Sequence, residues 1–413
     1  MLKQIICVVF ILHFCFLSHA QNVWTQKNNF PSLERDDAVG FSIGNYGYMG
    51  TGFQVGWILA VDFWKYDPAL NAWTQIADFP GTARQYCSAF VIGQKGYVCG
   101  GLDINSIFKN DLYEYDPSLN SWTPKSSLPG DGRQAAVAFE LNQKGYVCSG
   151  RNGQIFLNDL WEYDPLADSW TAKASLPGAG RFGAIAFTIN QKAYIGTGRD
   201  TNSVFYNDFY EYDPLSDAWA QKNNFAGTPR FDAKGFSVFQ KGFITTGLDT
   251  NNQYKNDLWQ YDAINDSWTQ RATMPTVSRK GAAGFTAANA FYIGTGIDSA
   301  NNRLGDFWKY EPDTATAISD MDIEISYFTV FPNPVKKLLV ISYPPASYLS
   351  GLRMKENLVI TIKDIQSNLV LRTLVSGLPA KIDVSNFPAG IYFIILQTED
   401  NDIFPVKKII ISN

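Results

Sequence analysis

At 413 residues, with 46% hydrophobic, 18% charged and 15% aromatic side chains, the chain has the profile of a folded protein of two or three domains. A net charge of −5 at pH 7 argues against a nucleic-acid partner, whose phosphates call for a basic face. No run of basic residues marks a membrane-binding surface either.

The first element is a leader. Lys3 supplies the positive start, Ile5 to Leu17 is largely apolar, and Ser18-His19-Ala20 sets small residues before the cut that a signal peptidase reads. Residues 1–20 are therefore expected to be removed. No later apolar run is long enough to span a bilayer, so the mature chain is expected to have no membrane span. Both histidines, His13 and His19, leave with the leader. A chain without imidazole has no Ser-His-Asp or Cys-His catalysis and no metal site built on histidine. Cys87, Cys99 and Cys148 remain, an odd number that implies no disulfide framework.

From residue 21 the chain repeats. Trp24, Trp73, Trp122, Trp170, Trp219 and Trp268 recur every 48 or 49 residues. Arg35, Arg84, Arg133, Arg181, Arg230 and Arg279 keep the same steps, as do Gly52, Gly101, Gly150, Gly198, Gly247 and Gly296. A fourth series runs from Asp62-Phe-Trp-Lys-Tyr66-Asp-Pro to Asp306-Phe-Trp-Lys-Tyr310-Glu-Pro. In the second period, Gln85 to Val91 reads as strand a, Gly93 to Gly96 as a tight turn, and Tyr97 to Gly101 as strand b. Leu112 to Tyr115 reads as strand c, Asp116-Pro117 opens a turn, and Trp122 begins strand d. A single four-stranded sheet leaves two faces bare, and stacking such sheets around an axis covers them, so the period predicts a β-propeller. Trp24 to Gln26 is a strand d with no a, b or c before it, and the last repeat stops after strand c. The N-terminal strand is expected to complete a sixth blade and close the ring.

Arg before strand a, Gly at the end of strand b, Tyr-Asp-Pro and then Trp resemble the Kelch repeat, over about residues 22–312. Only Gly100-Gly101 shows the double glycine usual in that family. Elsewhere it is Thr-Gly or Ser-Gly, which would tighten or shift the exit of strand b.

Composition changes after Pro312, and all eleven tryptophans precede it. Residues 313–327 are polar and acidic, as in a linker. Phe328-Thr-Val-Phe-Pro-Asn-Pro334 then opens a series of short strands: Leu338–Ser342, Ile360–Asp364, Ile382–Ser385, Ala389–Phe393 and Lys408–Ser412, the pattern of a small β-sandwich. Residues 328–413 resemble the type A C-terminal sorting domain of the type IX secretion system of Bacteroidota, with Tyr343 to Asn357 longer than the usual connection. That resemblance implies contact with the secretion machinery, passage across the outer membrane, and a secreted or surface-displayed product. The expected fold is thus all-β: a six-bladed Kelch-type propeller over 21–312 and a β-sandwich over 328–413.

Topology puts the d-to-a loops, which carry the six arginines, and the b-to-c loops on one face. The b-to-c loops differ from blade to blade, and so does the residue after each arginine: Asp36, Gln85, Gln134, Phe182, Phe231 and Lys280. Variable loops on a constant scaffold suit a ligand face. The candidate ligand-binding residues are the ring of Arg35, Arg84, Arg133, Arg181, Arg230 and Arg279, the unrepeated Arg151 and Arg199, and the loop residue Trp57. Guanidinium groups bind carboxylates or phosphates in bidentate fashion, yet the same arginine in every blade also suits a scaffold role. Asp103, Asp200, Asp249 and Asp298 have calcium-ligand chemistry, but Asx turns explain them. No cofactor, metal or catalytic residue is expected. Galactose-oxidising copper enzymes share the blade pattern but need histidines. A sialic-acid mutarotase resembles the chain in blade number. The expected role is a binding propeller for a glycan or an extracellular protein on the arginine face. A sugar-acid isomerase, mutarotase or lyase acting in the central funnel is the alternative.

Overall fold

The computed structural model describes residues 22–313, 329–331, 335–342, 358–364, 368–376, 380–398 and 407–412, and none of these is helical. The leader (1–20), nearly all of the linker (313–327) and the whole of the 343–357 connection lie outside the described residues. The chain divides into two compact units, Met1–Thr314 and Ala315–Asn413.

Six antiparallel blade sheets build the first unit, five of four strands and one with the short Arg84–Gln85 as a fifth, and smaller two- and three-stranded sheets join the loops. In blade 1 the strands a to d are Val39–Ile43, Tyr46–Gly50, Phe63–Asp67 and Ala72–Ile76. Blade 6 has Ala283–Ala287, Ala290–Gly294 and Phe307–Glu311, and takes its outer strand, Val23–Lys27, from the chain start. Its register sets Trp24 opposite Tyr310, as Trp73 stands opposite Tyr66 in blade 1.

Each repeated residue has a structural task. The tryptophan on strand d donates its indole N–H to a carbonyl of the preceding blade: Trp73 to Asn28, Trp122 to Ala77, Trp219 to Ala174 and, across the join, Trp24 to Ala272 at 2.7 Å. The tyrosine hydroxyl on strand c donates to the Asx residue of the c-to-d turn, as Tyr66 does to Asn71. In blade 6 the acceptor is Asn22, 3.0 Å from Tyr310. In four blades the phenylalanine on strand a covers a glycine of the following blade. Phe285 of blade 6 lies over Gly47 of blade 1, where a Cβ would come within 1.9 Å of the ring.

The sequence expectation for strand a is corrected near the channel. The predicted Gln85–Val91 is two pieces, Arg84–Gln85 and Ser88–Ile92, because Tyr86 adopts φ = 58°. The same left-handed residue recurs two positions after every arginine: Asp37, Tyr86, Ala135, Gly183, Asp232 and Gly281. It turns its N–H to the neighbouring blade, so that Tyr86 donates to Asp37, Ala135 to Tyr86, Gly183 to Ala135, Asp232 to Gly183, Gly281 to Asp232 and Asp37 to Gly281. Six hydrogen bonds of 2.8 to 3.2 Å close a ring around the axis.

The exit of strand b has one conformation in all six blades. Thr51, Ser149, Thr197, Thr246 and Thr295 hold φ between 58° and 65°, close to the 68° of Gly100. A side chain in that region costs about 1–2 kcal/mol. The residue's carbonyl accepts from the blade's repeated arginine, as Thr51 does from Arg35 at 2.8 Å, which holds the strained turn in place.

In the second unit, Thr329–Phe331, Leu338–Ser342 and Ala380–Asp383 form one sheet. Leu369–Val375, Leu358–Asp364, Gly390–Thr398 and Lys407–Ile411 form the other. Leu339, Ile341, Ile360, Ile362, Ile394 and Ile409 are fully buried or nearly so in its core. Leu369–Val375 is a strand that sequence reading missed. Its Leu369 and Leu374 are exposed while Leu371 and Val375 pack on the core, so apolar residues on both faces hid its orientation.

Candidate functional site

The ligand expectation for the arginine ring is corrected by its surroundings. Arg35, Arg84, Arg133, Arg181, Arg230 and Arg279 are at most 3% exposed. Each forms a bidentate pair with the aspartate of its own blade: Asp62, Asp111, Asp159, Asp208, Asp257 and Asp306. Arg35 also donates to Ser32, Leu33 and Thr51, which occupies all of its N–H groups. Burial raises the Asp62, Asp257 and Asp306 pKa values, but hydrogen bonds and charge from the arginines outweigh it and hold these carboxyls below their usual range. These arginines tie the d-to-a loop to strands b and c.

The loops themselves meet as topology requires. In every blade the residue after the arginine pairs with the start of the b-to-c loop, for example Asp36 with Phe53, Gln85 with Leu102 and Phe182 with Arg199. Asp103, Asp200, Asp249 and Asp298 brace these loops by accepting two backbone N–H groups each. Trp57 is 76% exposed at the tip of the first loop. It stands edge-on to Phe53 at 5.7 Å, with the Arg303 guanidinium 5.7 Å above its ring. Arg303 also bonds Asp36 at 2.8 Å, a link between blades 6 and 1.

Arg151 and Arg199 sit on aromatic faces. Arg151 lies 4.9 Å over Phe182 and, with the Gln134 carboxamide oxygen turned toward it, donates to that oxygen at 2.7 and 2.9 Å. Arg199 lies 4.8 Å over Phe231 and 5.9 Å from Phe182. Its Nε is buried without an acceptor, and its guanidinium makes no hydrogen bond or ion pair among the described residues.

Below these loops the ring of left-handed residues opens into a cavity of about 80 Å³, whose walls include Asp37, Tyr86, Cys87, Asp232 and Lys234. None of the candidate binding residues named from the sequence lies on this wall. Two positions after the arginine the series reads Asp37, Tyr86, Ala135, Gly183, Asp232, Gly281, and four positions after it reads Val39, Ser88, Val137, Ile185, Lys234, Ala283. The polar exceptions in these two columns were the available signal, and they converge only because the blades are arranged around an axis. Glycine makes room for both acids: a Cβ on Gly281 would fall 2.4 Å from Asp37 Oδ1, and one on Gly183 2.5 Å from Asp232 Oδ1.

Burial and the charges of Asp36 and Asp232 push the Asp37 carboxyl well above its usual range, against Lys280 and Tyr86. Burial also raises Asp232, despite Lys280 at 3.5 Å and the nearby Arg199. Lys234 is pulled down by burial, opposed by Asp232 and Asp37. Burial holds the Cys87 thiol up at about 11, and Cys87, Cys99 and Cys148 are all free. An aspartate whose folded pKa is raised binds its proton more readily when folded, so it destabilises the fold increasingly as pH rises from the unfolded value toward the folded one. Asp37→Asn should therefore raise the melting temperature at pH 7, with the gain shrinking as the pH falls toward 4. Melting curves across that range check it, and an unchanged or lowered melting point at pH 7 contradicts it.

The geometry can be set beside known proteins. A family described as a secretion system C-terminal sorting domain matches residues 329–412, and Kelch motifs match residues 83–129 and 138–177. Among solved structures, one titled "Structure of YjhT" is similar with a TM-score of 0.58 at 18% identity, covering 68% of this chain and 95% of that one. No curated protein matches the sequence. The chain carries a Kelch-type β-propeller followed by a type IX sorting domain. The sorting domain marks it for export to the cell surface or the extracellular space.

Proposed function

We propose that the chain is an exported carbohydrate-binding propeller that holds an acidic glycan on the face built by the d-to-a and b-to-c loops. The observation that carries this reading is Arg199. A guanidinium held on the buried rings of Phe182 and Phe231, with no acceptor of its own, suits a carboxylate, while the exposed Trp57 suits the apolar face of a sugar ring. A protein ligand on the same face is the competing form of this reading. An array of neutral and carboxylate-bearing glycans tests it. Selective binding of acidic glycans is expected, and Arg199→Ala should weaken it by roughly 10- to 100-fold, the worth of a charged hydrogen-bonded contact. Equal affinity for neutral and acidic glycans, or an Arg199→Ala variant that binds unchanged, overturns it.

A second reading, sugar-acid isomerisation or lysis in the funnel, is favoured by the acids and the lysine around the cavity. Turnover of an array-positive sugar separates the two.

A further inference from the structure

Lys234 is out of place in the repeat. At its position the other blades carry Val39, Ser88, Val137, Ile185 and Ala283, all buried between blades. Lys234 instead reaches the cavity wall, and its amine makes no hydrogen bond or ion pair among the described residues. Lys234 is partly buried, and partly desolvating an unpaired ammonium still carries a cost, so an amine held this way beside two carboxyls is a candidate functional group. Around it stand Asp37, Asp232 and Tyr86 on the cavity wall, with Lys280 against Asp232 and Arg199 close enough to act on its charge.

We propose that Lys234 is an imine-forming nucleophile for a small 2-oxo acid bound in the channel cavity. This inference is independent of the acidic-glycan reading. The cavity of about 80 Å³ has room for a molecule of about six heavy atoms, at roughly 10–15 Å³ for each water-sized atom. Burial favours the neutral amine at Lys234 and the protonated carboxyl at Asp37, so nucleophile and acid coexist.

The Lys234 Nζ lone pair forms the C–N bond as the carbonyl π pair moves to oxygen, which takes the Asp37 proton. The nitrogen returns a proton to the Asp37 carboxylate. That proton then leaves with the carbinolamine hydroxyl as water, and the nitrogen lone pair closes the protonated imine beside ionised Asp37. The substrate's own carboxylate is matched by the two cations beside the wall residue Asp232, Lys280 at 3.5 Å and Arg199.

The test is reductive trapping. The exported chain is incubated with pyruvate and sodium cyanoborohydride, digested, and mapped by mass spectrometry. The expected result is one saturable adduct on the peptide containing Lys234, formed at least about tenfold faster than on any other lysine. Asp37→Asn should slow it about a hundredfold. Pyruvate should outpace acetaldehyde, which lacks the carboxylate. An adduct spread evenly over the lysines, no adduct, an unaffected Asp37→Asn variant, or equal trapping of pyruvate and acetaldehyde overturns the proposal. The mapping uses the unmodified chain, so its result does not depend on whether a Lys234 variant folds. Glycan binding is read separately on the array, so the two proposals fail separately.

Discussion

Deleting Asn22–Lys27 is expected to lower the melting temperature by on the order of 10 °C or more and to broaden the transition. The segment supplies the whole outer strand of blade 6, paired from Val23–Glu311 to Lys27–Phe307. Trp24, 9% exposed, packs at 5.4 Å on Phe291 and 5.0 Å on Tyr310. Removing a buried tryptophan costs about 3–5 kcal/mol. The lost strand also takes with it the Trp24–Ala272 bond to blade 5 and the Asn22 acceptor of Tyr310. Phe307–Glu311 then becomes a bare edge of a kind that invites pairing with another chain. Trp24→Ala alone should reproduce about half of the loss. Calorimetry of the two variants decides the matter, and a melting curve like that of the intact chain would show that the strand does not hold the ring.

Arg279→Ala is expected to cost about 3–5 kcal/mol, the usual penalty for breaking a buried ion pair. The guanidinium is fully buried and bonds Asp306 twice, at 2.6 and 2.7 Å. It also donates to the carbonyls of Thr295 and Val277 and to the Thr276 hydroxyl. Alanine leaves the Asp306 carboxylate, 20% exposed, without its cation and removes the donor that steadies the left-handed Thr295. Arg279→Lys should restore little, because an ammonium cannot span both carboxylate oxygens and the carbonyls together. Denaturant unfolding measures the loss. If Arg279→Ala instead left stability intact and weakened ligand binding, the ring of arginines would be a binding feature after all.

The paired arginines and the unforeseen cavity residues have one cause. The repeated arginines are chemically apt for an anion, and sequence carries no record of whether a partner already occupies them. Their partner is 26 or 27 residues away, in the same repeat, and only the folded blade brings the two carboxylate oxygens onto the guanidinium. Asp37, Asp232 and Lys234 lie in different repeats or among apolar neighbours, so nothing local distinguishes them from surface charges.

What the amino-acid order determined by itself was everything periodic: the blade, its strand order, the turn chemistry, and the phase that sends Trp24 to Tyr310. Periodic features are legible because each copy must satisfy the same local packing, so the pattern is written six times. The sorting domain was legible for a different reason, its Phe-Pro-Asn-Pro entry followed by short apolar runs. What tertiary structure alone decided was the site. A propeller axis gathers one residue from each blade, nearly fifty positions apart, so an acid in blade 1 and an acid and a lysine in blade 5 become neighbours of one cavity only when the ring is closed.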